Sequence, residues 1–324
     1  MDTATIVRAA GVLRAGGLVA FPTETVYGLG SDASRADAVA RIYAAKGRPT
    51  DHPLIVHLAE VEMVDRWAVS VSLQARALAA AFWPGPMTLI MKRAAHVIDA
   101  VTGGQDTVGI RVPSHRVAHA LLAAFGGGVA APSANRFGRV SATTAAHVRS
   151  EFGDAVDCVL DGGESDVGIE STIIDVSGER VSVLRPGCIT VADVERVLGA
   201  PVGLPAAGAP RASGTLAQHY APRTPLLLLE ADLVIELAAT LSRQGRRVAV
   251  LTRSARQPIL DNVVWKSAPA DPVGFAHVLY ACLRELDEAG CDTMLVEEPP
   301  LAVEWIAVRD RLQRAAAGSQ ETAD

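Results

Sequence analysis

Hydrophobic positions along the chain follow two alternating patterns, one typical of helices and one typical of short buried strands. Apolar residues between Ile6 and Leu13 recur on one helical face, and the apolar run at 18–21 continues until Pro22. A second helical pattern begins at Ser34, a residue type that caps helices, and ends near Lys46. Helices that alternate with strands predict an α/β fold.

The same two patterns continue to the C-terminal part of the chain. In the first 200 residues they predict further strands at 54–58, 87–91, 108–112, 129–131, 173–176 and 181–184, and helices at 73–82 and 191–198. After residue 225 they predict strands at 226–229, 248–251 and 294–296, and helices at 233–241, 275–286 and 303–312. Because neighbouring parallel strands need crossover connections, this second group predicts a small, mainly parallel α/β domain.

Proline and glycine mark the boundary between the two groups. The chain has 324 residues, a length that fits two domains, and X-Pro dipeptides repeat between residues 200 and 225. Such a segment resists both helix and sheet and is typical of an interdomain linker. We therefore predict a larger domain at 1–200, a linker at 201–224, a small α/β domain at 225–316 and a frayed tail at 317–324.

Composition and charge exclude several classes of protein. Hydrophobic residues make up 49% and charged residues 20% of the chain, so a disordered protein is excluded. The net charge of −6 argues against broad electrostatic binding of nucleic acid. The four cysteines form no C-x-x-C pair, and the N-terminus has no signal-peptide pattern. We expect a cytoplasmic protein with reduced, buried cysteines.

The common motifs of several enzyme classes are absent from the sequence. It contains no phosphate-binding P-loop, no dinucleotide-binding glycine fingerprint after a strand, no serine nucleophile elbow and no zinc-site motif. The motifs therefore predict no protein-bound metal, and they disfavour hydride transfer, serine hydrolysis and zinc hydrolysis.

Polar loops after the predicted strands are the candidate functional site. The first loop, 22–30, contains threonines, an acid and a tyrosine. It places these polar groups at the carboxyl edge of the sheet, where ligands commonly bind in α/β proteins. Lys46 and Arg48 flank a glycine at a helix end; they suit phosphate, although the helix dipole also favours cations there. Arg111 lies inside an apolar strand, so it needs an anion, which is either a ligand or an internal carboxylate.

Further loops at 130–141, 170–175 and 184–187 carry hydroxyl groups, small residues and further arginines, among them Arg139 and Arg185. Small residues let a ligand approach the backbone, and hydroxyls with backbone amides suit phosphate or ribose oxygens. Each loop is a weak signal by itself. Together they are what we expect of a domain that binds a nucleoside triphosphate with Mg²⁺ from solution.

The order of these loops resembles one family. The runs PTETVYGLG (22–30), KGRP, GIRVP, APSAN, ESTIID and RPG resemble the YrdC-like threonylcarbamoyl-AMP synthases over about residues 5–200, and SGTLAQHYAP (213–222) resembles the linker of their long, two-domain form. The resemblance implies a YrdC-like twisted open mixed sheet with flanking helices, plus a smaller Rossmann-like α/β C-terminal domain. It implies synthesis of L-threonylcarbamoyl-AMP and pyrophosphate from L-threonine, bicarbonate and ATP, with Mg²⁺ accompanying ATP. The product would then reach the tRNA threonylcarbamoyl-transfer machinery for t6A formation at position 37.

The resemblance also implies a role for individual residues of this chain. The L-threonine ligands would be Thr25, His57, Arg111, Ala131 and Ser171. The ATP ligands would be Lys46, Arg48, His52, Thr107, Ser133, Ser141, Arg185 and Tyr220. Because the reaction needs positioning and charge neutralisation more than a protein nucleophile, Lys46, Arg48 and Arg111 would be the catalytic groups, and the linker would be an active-site lid.

Two positions depart from the pattern of similar sequences. His52 stands where asparagine usually precedes Pro-Leu, and an imidazole can replace one amide hydrogen bond but not both. The linker has Ala212-Ser213-Gly214 where Ser-Pro-Gly is common, which predicts a more mobile linker.

Two alternative functions stay open from the sequence. One is an RNA-binding module of the same fold, although the two parts of the chain each carry a net charge of −3, with 18 basic and 21 acidic residues in 1–200 and 12 and 15 after it. The other is a carbamoyltransferase of the hydrogenase-maturation type, which contains a similar domain but also segments without a counterpart here. Direct tRNA binding is not required by the first hypothesis, and no membrane partner is expected.

Overall fold

The computed structural model describes residues 2–254 and 257–320, which form two compact units. The first unit comprises residues 1–137, 142–166 and 170–215, and the second comprises 138–141, 167–169 and 216–324. The predicted domains are contiguous stretches of chain, whereas each unit is assembled from three segments.

A nine-stranded mixed sheet with flanking helices forms the first unit. Its strands are β1 (Val19–Phe21), β2 (Gly28–Asp32), β3 (Ile55–His57), β4 (Met87–Lys92), β5 (Thr107–Arg111), β6 (Val129–Ala130), β7 (Cys158–Val159), β8 (Thr172–Asp175) and β9 (Ser182–Arg185). The order in the sheet is β7-β1-β2-β6-β3-β5-β4-β8-β9. The pairs β1/β7, β3/β5 and β4/β8 are parallel, and the other pairs are antiparallel.

Eight α-helices accompany this sheet in the described part of the first unit. They are α1 (Thr3–Arg14), α2 (Ala36–Lys46), α3 (Val64–Trp67), α4 (Leu73–Phe82), α5 (Asp99–Thr102), α6 (Arg116–Phe125), α7 (Ala145–Phe152) and α8 (Val191–Leu198). Their apolar faces and the strands bury one large hydrophobic cluster and smaller ones. The helix α1 buries its predicted face from Ile6 to Leu13, and Asp2 caps it by accepting from the Thr5 amide at 2.7 Å.

The second unit contains a four-stranded parallel sheet. Its strands are β10 (Leu226–Leu229), β11 (Val248–Thr252), β12 (Val263–Ser267) and β13 (Thr293–Glu297), in the order β10-β13-β11-β12, and its helices are α9 (Ala231–Arg243), α10 (Pro272–Glu288) and α11 (Ile306–Gln320). Strands and helices alternate as predicted, except that β12 is the next element after β11. The fold class is therefore confirmed for both units: a large mixed α/β sheet and a smaller parallel α/β sheet.

Several predictions of local structure were wrong or incomplete. Ser34 does not cap α2, because its hydroxyl donates to Asp32 Oδ1 at 2.6 Å and the helix begins after Arg35. The predicted frayed tail is helical at 317–320, where the buried Ser319 hydroxyl accepts from the Leu226 amide at 2.8 Å; residues 321–324 lie outside the described residues. The cysteines are free, but none of the four is buried: Cys188 is exposed, and Cys158, Cys282 and Cys291 are half-buried.

The sequence patterns also missed β2, β7, β12, α3, α5, α6 and α7. In β2 the reason is glycine, which weakens the strand pattern. A Cβ at Gly30 would lie 2.7 Å from Val129 Cγ1 and 2.8 Å from Phe21 Cε1, so packing against the sheet demands glycine there. Within the part of the chain that the structure describes, no helix is long and apolar enough to cross a membrane.

Candidate functional site

The centre of the candidate site is the carboxyl end of two neighbouring parallel strands. His57 ends β3 and Arg111 ends β5, and the two residues are direct partners in the register of the pair. Both side chains are buried. The parallel pairing thus brings together two residues that are far apart in sequence and that were both assigned to L-threonine.

Arg111 has an internal anion as its partner. Its Nη2 donates to Glu24 Oε1 at 2.6 Å, Nη1 donates to Thr25 Oγ1 at 2.8 Å, and Nε donates to the Gly85 carbonyl at 3.3 Å. The sequence had left a ligand and an internal carboxylate as alternatives, and the structure shows the carboxylate. These bonds use three of the five guanidinium N–H groups.

The loop after β1 holds Glu24 and Thr25 in place through its own hydrogen bonds. Thr23 Oγ1 donates to the Val26 carbonyl at 2.6 Å and lies 2.9 Å from Thr25 Oγ1. The second carboxylate oxygen of Glu24 accepts from the Ser114 amide at 3.2 Å. Glu24 was not among the predicted site residues, although an acid beside a predicted ligand in a loop after a strand was a usable signal.

His57 is a neutral hydrogen-bond acceptor toward the site. Burial, and then the charge of Arg111, lower the pKa of His57 to about 3. Its Nδ1 lies 3.2 Å from the Ile55 carbonyl, which can only accept, so we assign the proton to Nδ1. The other ring nitrogen, Nε2, therefore carries a lone pair.

Two further residues assigned to L-threonine are fixed by neighbouring strands. The Ala131 amide donates to the Ile55 carbonyl at 2.9 Å, which ties the APSAN loop to β3. The Ser171 hydroxyl lies 2.9 Å from Thr88 Oγ1 in β4, and both are buried.

Lys46 is buried and bonded to backbone carbonyls of the APSAN loop. Its Nζ donates to the Ser133 carbonyl at 2.6 Å and to the Asn135 carbonyl. Burial, and then the charge of Arg48, lower the pKa of Lys46 well below its usual value. The structure thus joins the predicted Lys46 and Ser133, and it adds Asn135, which the sequence analysis did not assign.

Arg48 and Arg185 meet at Ser213, a residue of the predicted linker that belongs to the first unit. Arg48 Nη2 donates to the Pro53 carbonyl at 2.9 Å and to Ser213 Oγ at 3.3 Å. Arg185 Nη1 donates to the Ser213 carbonyl at 2.8 Å, while its Nη2 donates to the Ser171 carbonyl at 2.9 Å. Two arginines assigned to ATP are therefore connected by one serine of the linker.

His52 lies near Arg48, and Thr107 lies near Ser213. Burial, and then the charge of Arg48, lower the pKa of His52, and its ring meets Phe137 edge-on at 5.4 Å between centroids. Thr107 begins β5 and lines a small cavity whose wall also includes Arg211 and Ser213 of the linker.

The other two residues assigned to ATP, Ser141 and Tyr220, belong to the second unit. Both are buried there. The Ser141 carbonyl accepts from Arg284 Nε at 3.1 Å, and the Tyr220 ring stacks on Tyr280 at 5.7 Å between centroids. In residues 2–254 and 257–320, no group of three or more His, Cys, Asp or Glu side chains is arranged to hold a metal ion.

Comparison with known proteins identifies the family. Residues 11–187 match the family model described as "Telomere recombination", and residues 189–317 match the model described as "Threonylcarbamoyl-AMP synthase, C-terminal domain". The threonylcarbamoyl-AMP synthase of Pyrococcus abyssi is 38% identical over 95% of this chain and 92% of its own length. The chain belongs to the threonylcarbamoyl-AMP synthase family.

Other relatives agree with this assignment. The threonylcarbamoyl-AMP synthase of Bacillus subtilis is 38% identical over 97% of this chain and 93% of its own length. The crystal structure of P. abyssi Sua5 complexed with L-threonine has a TM-score of 0.90 and 37% identity, and covers 98% of this chain and 96% of that chain. This chain therefore has the two-domain form of the threonylcarbamoyl-AMP synthase family.

Proposed function

We infer that this protein is an L-threonylcarbamoyl-AMP synthase, a nucleotidyltransferase that converts L-threonine, bicarbonate and ATP into the adenylate and pyrophosphate. The observation that carries this proposal is the buried pair of His57 and Arg111 at the carboxyl ends of β3 and β5. It provides a cation and a neutral acceptor side by side, as the recognition of an amino acid requires.

The threonine half of the site follows from this pair. The two N–H groups of Arg111 that are not used by Glu24, Thr25 and Gly85 can donate to the carboxylate of L-threonine. The Nε2 atom of His57 can accept from a hydroxyl or amine of the substrate. Thr25, Ala131 and Ser171 would be the remaining ligands. The similar P. abyssi Sua5 has a crystal structure complexed with L-threonine, which supports an L-threonine site in this protein.

The triphosphate half involves the three cations assigned to ATP. A lysine ammonium has three N–H groups, and Lys46 uses two of them on the Ser133 and Asn135 carbonyls, which leaves one for a phosphate oxygen. An anionic phosphate close to Nζ would raise the pKa of Lys46 and stabilise its charged form. Arg48 and Arg185 would supply further positive charge, and His52, Thr107, Ser133, Ser141 and Tyr220 would complete the ATP ligands.

The chemical steps need positioned substrates rather than a protein nucleophile. The threonine amine and bicarbonate first give a carbamate and water. A carbamate oxygen then attacks the α-phosphorus of ATP, and pyrophosphate leaves with its bond to that phosphorus broken. Lys46 and Arg48 would neutralise the charge that develops on the leaving group, and Arg111 would orient the amino acid. Mg²⁺ enters as part of the ATP substrate.

We also propose that residues 201–224 act as a lid on the nucleotide. Ser213 contacts both Arg48 and Arg185, so the segment lies directly against two cations assigned to ATP. A bound triphosphate would compete for these guanidinium groups and change the contacts of the linker. The adenylate product would then pass to the tRNA threonylcarbamoyl-transfer machinery.

Incubation with ATP, bicarbonate and L-threonine tests the proposed reaction, with pyrophosphate and threonylcarbamoyl-AMP quantified. We expect both products in equal amounts and only when threonine is present. Threonine-independent pyrophosphate release, or no release, would contradict the proposal. In Arg111→Ala we expect the KM for threonine to rise far more than the KM for ATP, and the reverse ranking would overturn the division of the pocket.

A further inference from the structure

One face of α10 contacts three separate segments of the second unit. His277, Tyr280, Arg284 and Asp287 follow one another at intervals of three, four and three residues, so they lie on the same side of the helix. A Cβ at Gly168 would lie 2.3 Å from the His277 carbonyl, and the Arg223 and Thr224 amides donate to Asp287 at 3.0 and 2.7 Å. The remaining two residues of this face contact the two residues of the second unit that were assigned to ATP.

Arg284 binds the backbone at Ser141, the first of these two residues. Its Nε donates to the Ser141 carbonyl at 3.1 Å, and its Nη2 donates to the Val140 carbonyl. The side chain is buried. Because the guanidinium is planar and its N–H groups point in fixed directions, two bonds to consecutive carbonyls restrict both the position and the orientation of the 140–141 backbone. A lysine has no such fork and cannot restrict both.

Tyr280 lies one helical turn before Arg284 in α10 and contacts Tyr220, the second of the two residues assigned to ATP. Its ring stacks on the Tyr220 ring with an interplanar angle of 28°, and both rings are buried. Tyr220 has a φ of 62°, a left-handed backbone conformation that a bulky residue adopts only when its surroundings hold it there. The stack on Tyr280 and the Arg311 guanidinium, 5.3 Å from the Tyr220 ring centroid, are part of those surroundings.

We propose that Arg284 is a positioning residue for ATP, and that Tyr280 acts with it from the same face of α10. Neither side chain needs to touch the nucleotide. Arg284 fixes the backbone that carries Ser141, and Tyr280 fixes the ring of Tyr220. This inference rests on the proposed function and gives the C-terminal part of the chain a role in the reaction besides holding the linker.

The test compares Arg284→Met with Arg243→Met in the full-length protein. Arg243 lies on the exposed surface of α9 in the same unit. Its substitution removes one arginine from that unit, as Arg284→Met does, and therefore serves as the control. For Arg284→Met we expect the KM for ATP to rise about tenfold, the size expected for loss of a charged hydrogen bond that orders a binding segment, with the KM for threonine within about twofold. Titration calorimetry with ATP alone should show the same weakening. Arg284→Lys should recover part of the loss, and Arg243→Met should match the wild type.

Two outcomes would overturn the inference while leaving the proposed function intact. One is an unchanged KM for ATP in Arg284→Met, and the other is an equal rise of both KM values, which would indicate a general structural role. Failure of the proposed function is distinguishable, because the wild type would then form no threonylcarbamoyl-AMP. Should Arg284→Met lose its thermal unfolding transition, Tyr280→Leu decides instead: a folded Tyr280→Leu with wild-type KM for ATP contradicts the proposal.

Discussion

Arg111 Nη2 lies 2.6 Å from Glu24 Oε1, and both side chains are buried. A buried ion pair repays the cost of its desolvation only when both partners are present, so removing one leaves an uncompensated charge. The pair therefore ties the loop after β1 to the end of β5, and its integrity matters for stability as well as for the substrate.

We predict that Glu24→Ala lowers the free energy of unfolding by about 3 kcal/mol, because it leaves the Arg111 guanidinium buried without its anion. Urea unfolding at neutral pH measures this change. The double variant Glu24→Ala/Arg111→Ala should be more stable than the sum of the two single variants implies. Additive losses would show that the two charges are not coupled.

The pH dependence of stability should carry a contribution from His57. Its pKa is about 3 in the folded protein and about 6.5 in an unfolded chain, so below pH 6.5 the unfolded state binds a proton that the folded state does not bind. The free energy of unfolding therefore decreases as the pH falls from 6.5 toward 3. Above pH 6.5, His57 causes no such loss. At pH 5 the loss is about 2 kcal/mol for this one residue.

Urea unfolding of the wild type and of His57→Asn at pH 7 and pH 5 tests this prediction. We expect the wild type to lose about 2 kcal/mol more than the variant between the two pH values. The same substitution at the exposed His119 is the control and should keep the wild-type slope. Equal slopes for the wild type and His57→Asn would mean that folding does not lower the pKa of His57.

The close packing at Gly30 gives a prediction about the sheet. In Gly30→Ala the new Cβ would meet Val129 Cγ1 and Phe21 Cε1 at less than 3 Å, so we expect a loss of about 1–3 kcal/mol from overpacking. Gly203→Ala is the control, since a Cβ at Gly203 would lie 3.6 Å from the Val181 carbonyl oxygen, an ordinary contact. Thermal unfolding should separate the two variants. A Gly30→Ala protein as stable as Gly203→Ala would show that β2 can shift without cost.

Much of the fold could be predicted from local pattern, and the site only in part. Apolar runs bounded by proline or glycine identified β1 and the strands from β3 to β6, because these features act within a few residues. The pairing of Arg111 with Glu24 could not be predicted, because it joins residues 87 positions apart through a nine-stranded order that local pattern does not contain. The motifs named Arg111, but its partner depends on tertiary structure.

The sequence also could not predict that the residues assigned to ATP are divided between the two units. Ser141 lies in a motif of the predicted larger domain, yet its contacts with Arg284 group it with the second unit. A short segment can join another unit when one buried side chain satisfies its carbonyl groups, and such a contact leaves no periodic signal in the sequence.

The proposed lid gives the last prediction, which concerns protection of the linker from proteolysis. Ser213 bonds to Arg48 and Arg185, and Arg211 donates to the Gly103 carbonyl at 2.9 Å. If ATP binds these arginines and the lid closes over it, cleavage at residues 205–222 should slow about tenfold or more at saturating ATP, because cleavage follows the population of open linker.

Limited proteolysis with the cleavage sites mapped by mass spectrometry measures this protection, with and without ATP. Arg48→Met is the informative variant, since it should lose most of the ATP-dependent protection by losing a charged contact to the triphosphate. Cleavage outside residues 205–222 should be the same with and without ATP, which separates lid closure from general stabilisation by ligand binding. Equal cleavage of the linker in both conditions would contradict the lid, and protection spread over the whole chain would assign the effect to stability alone.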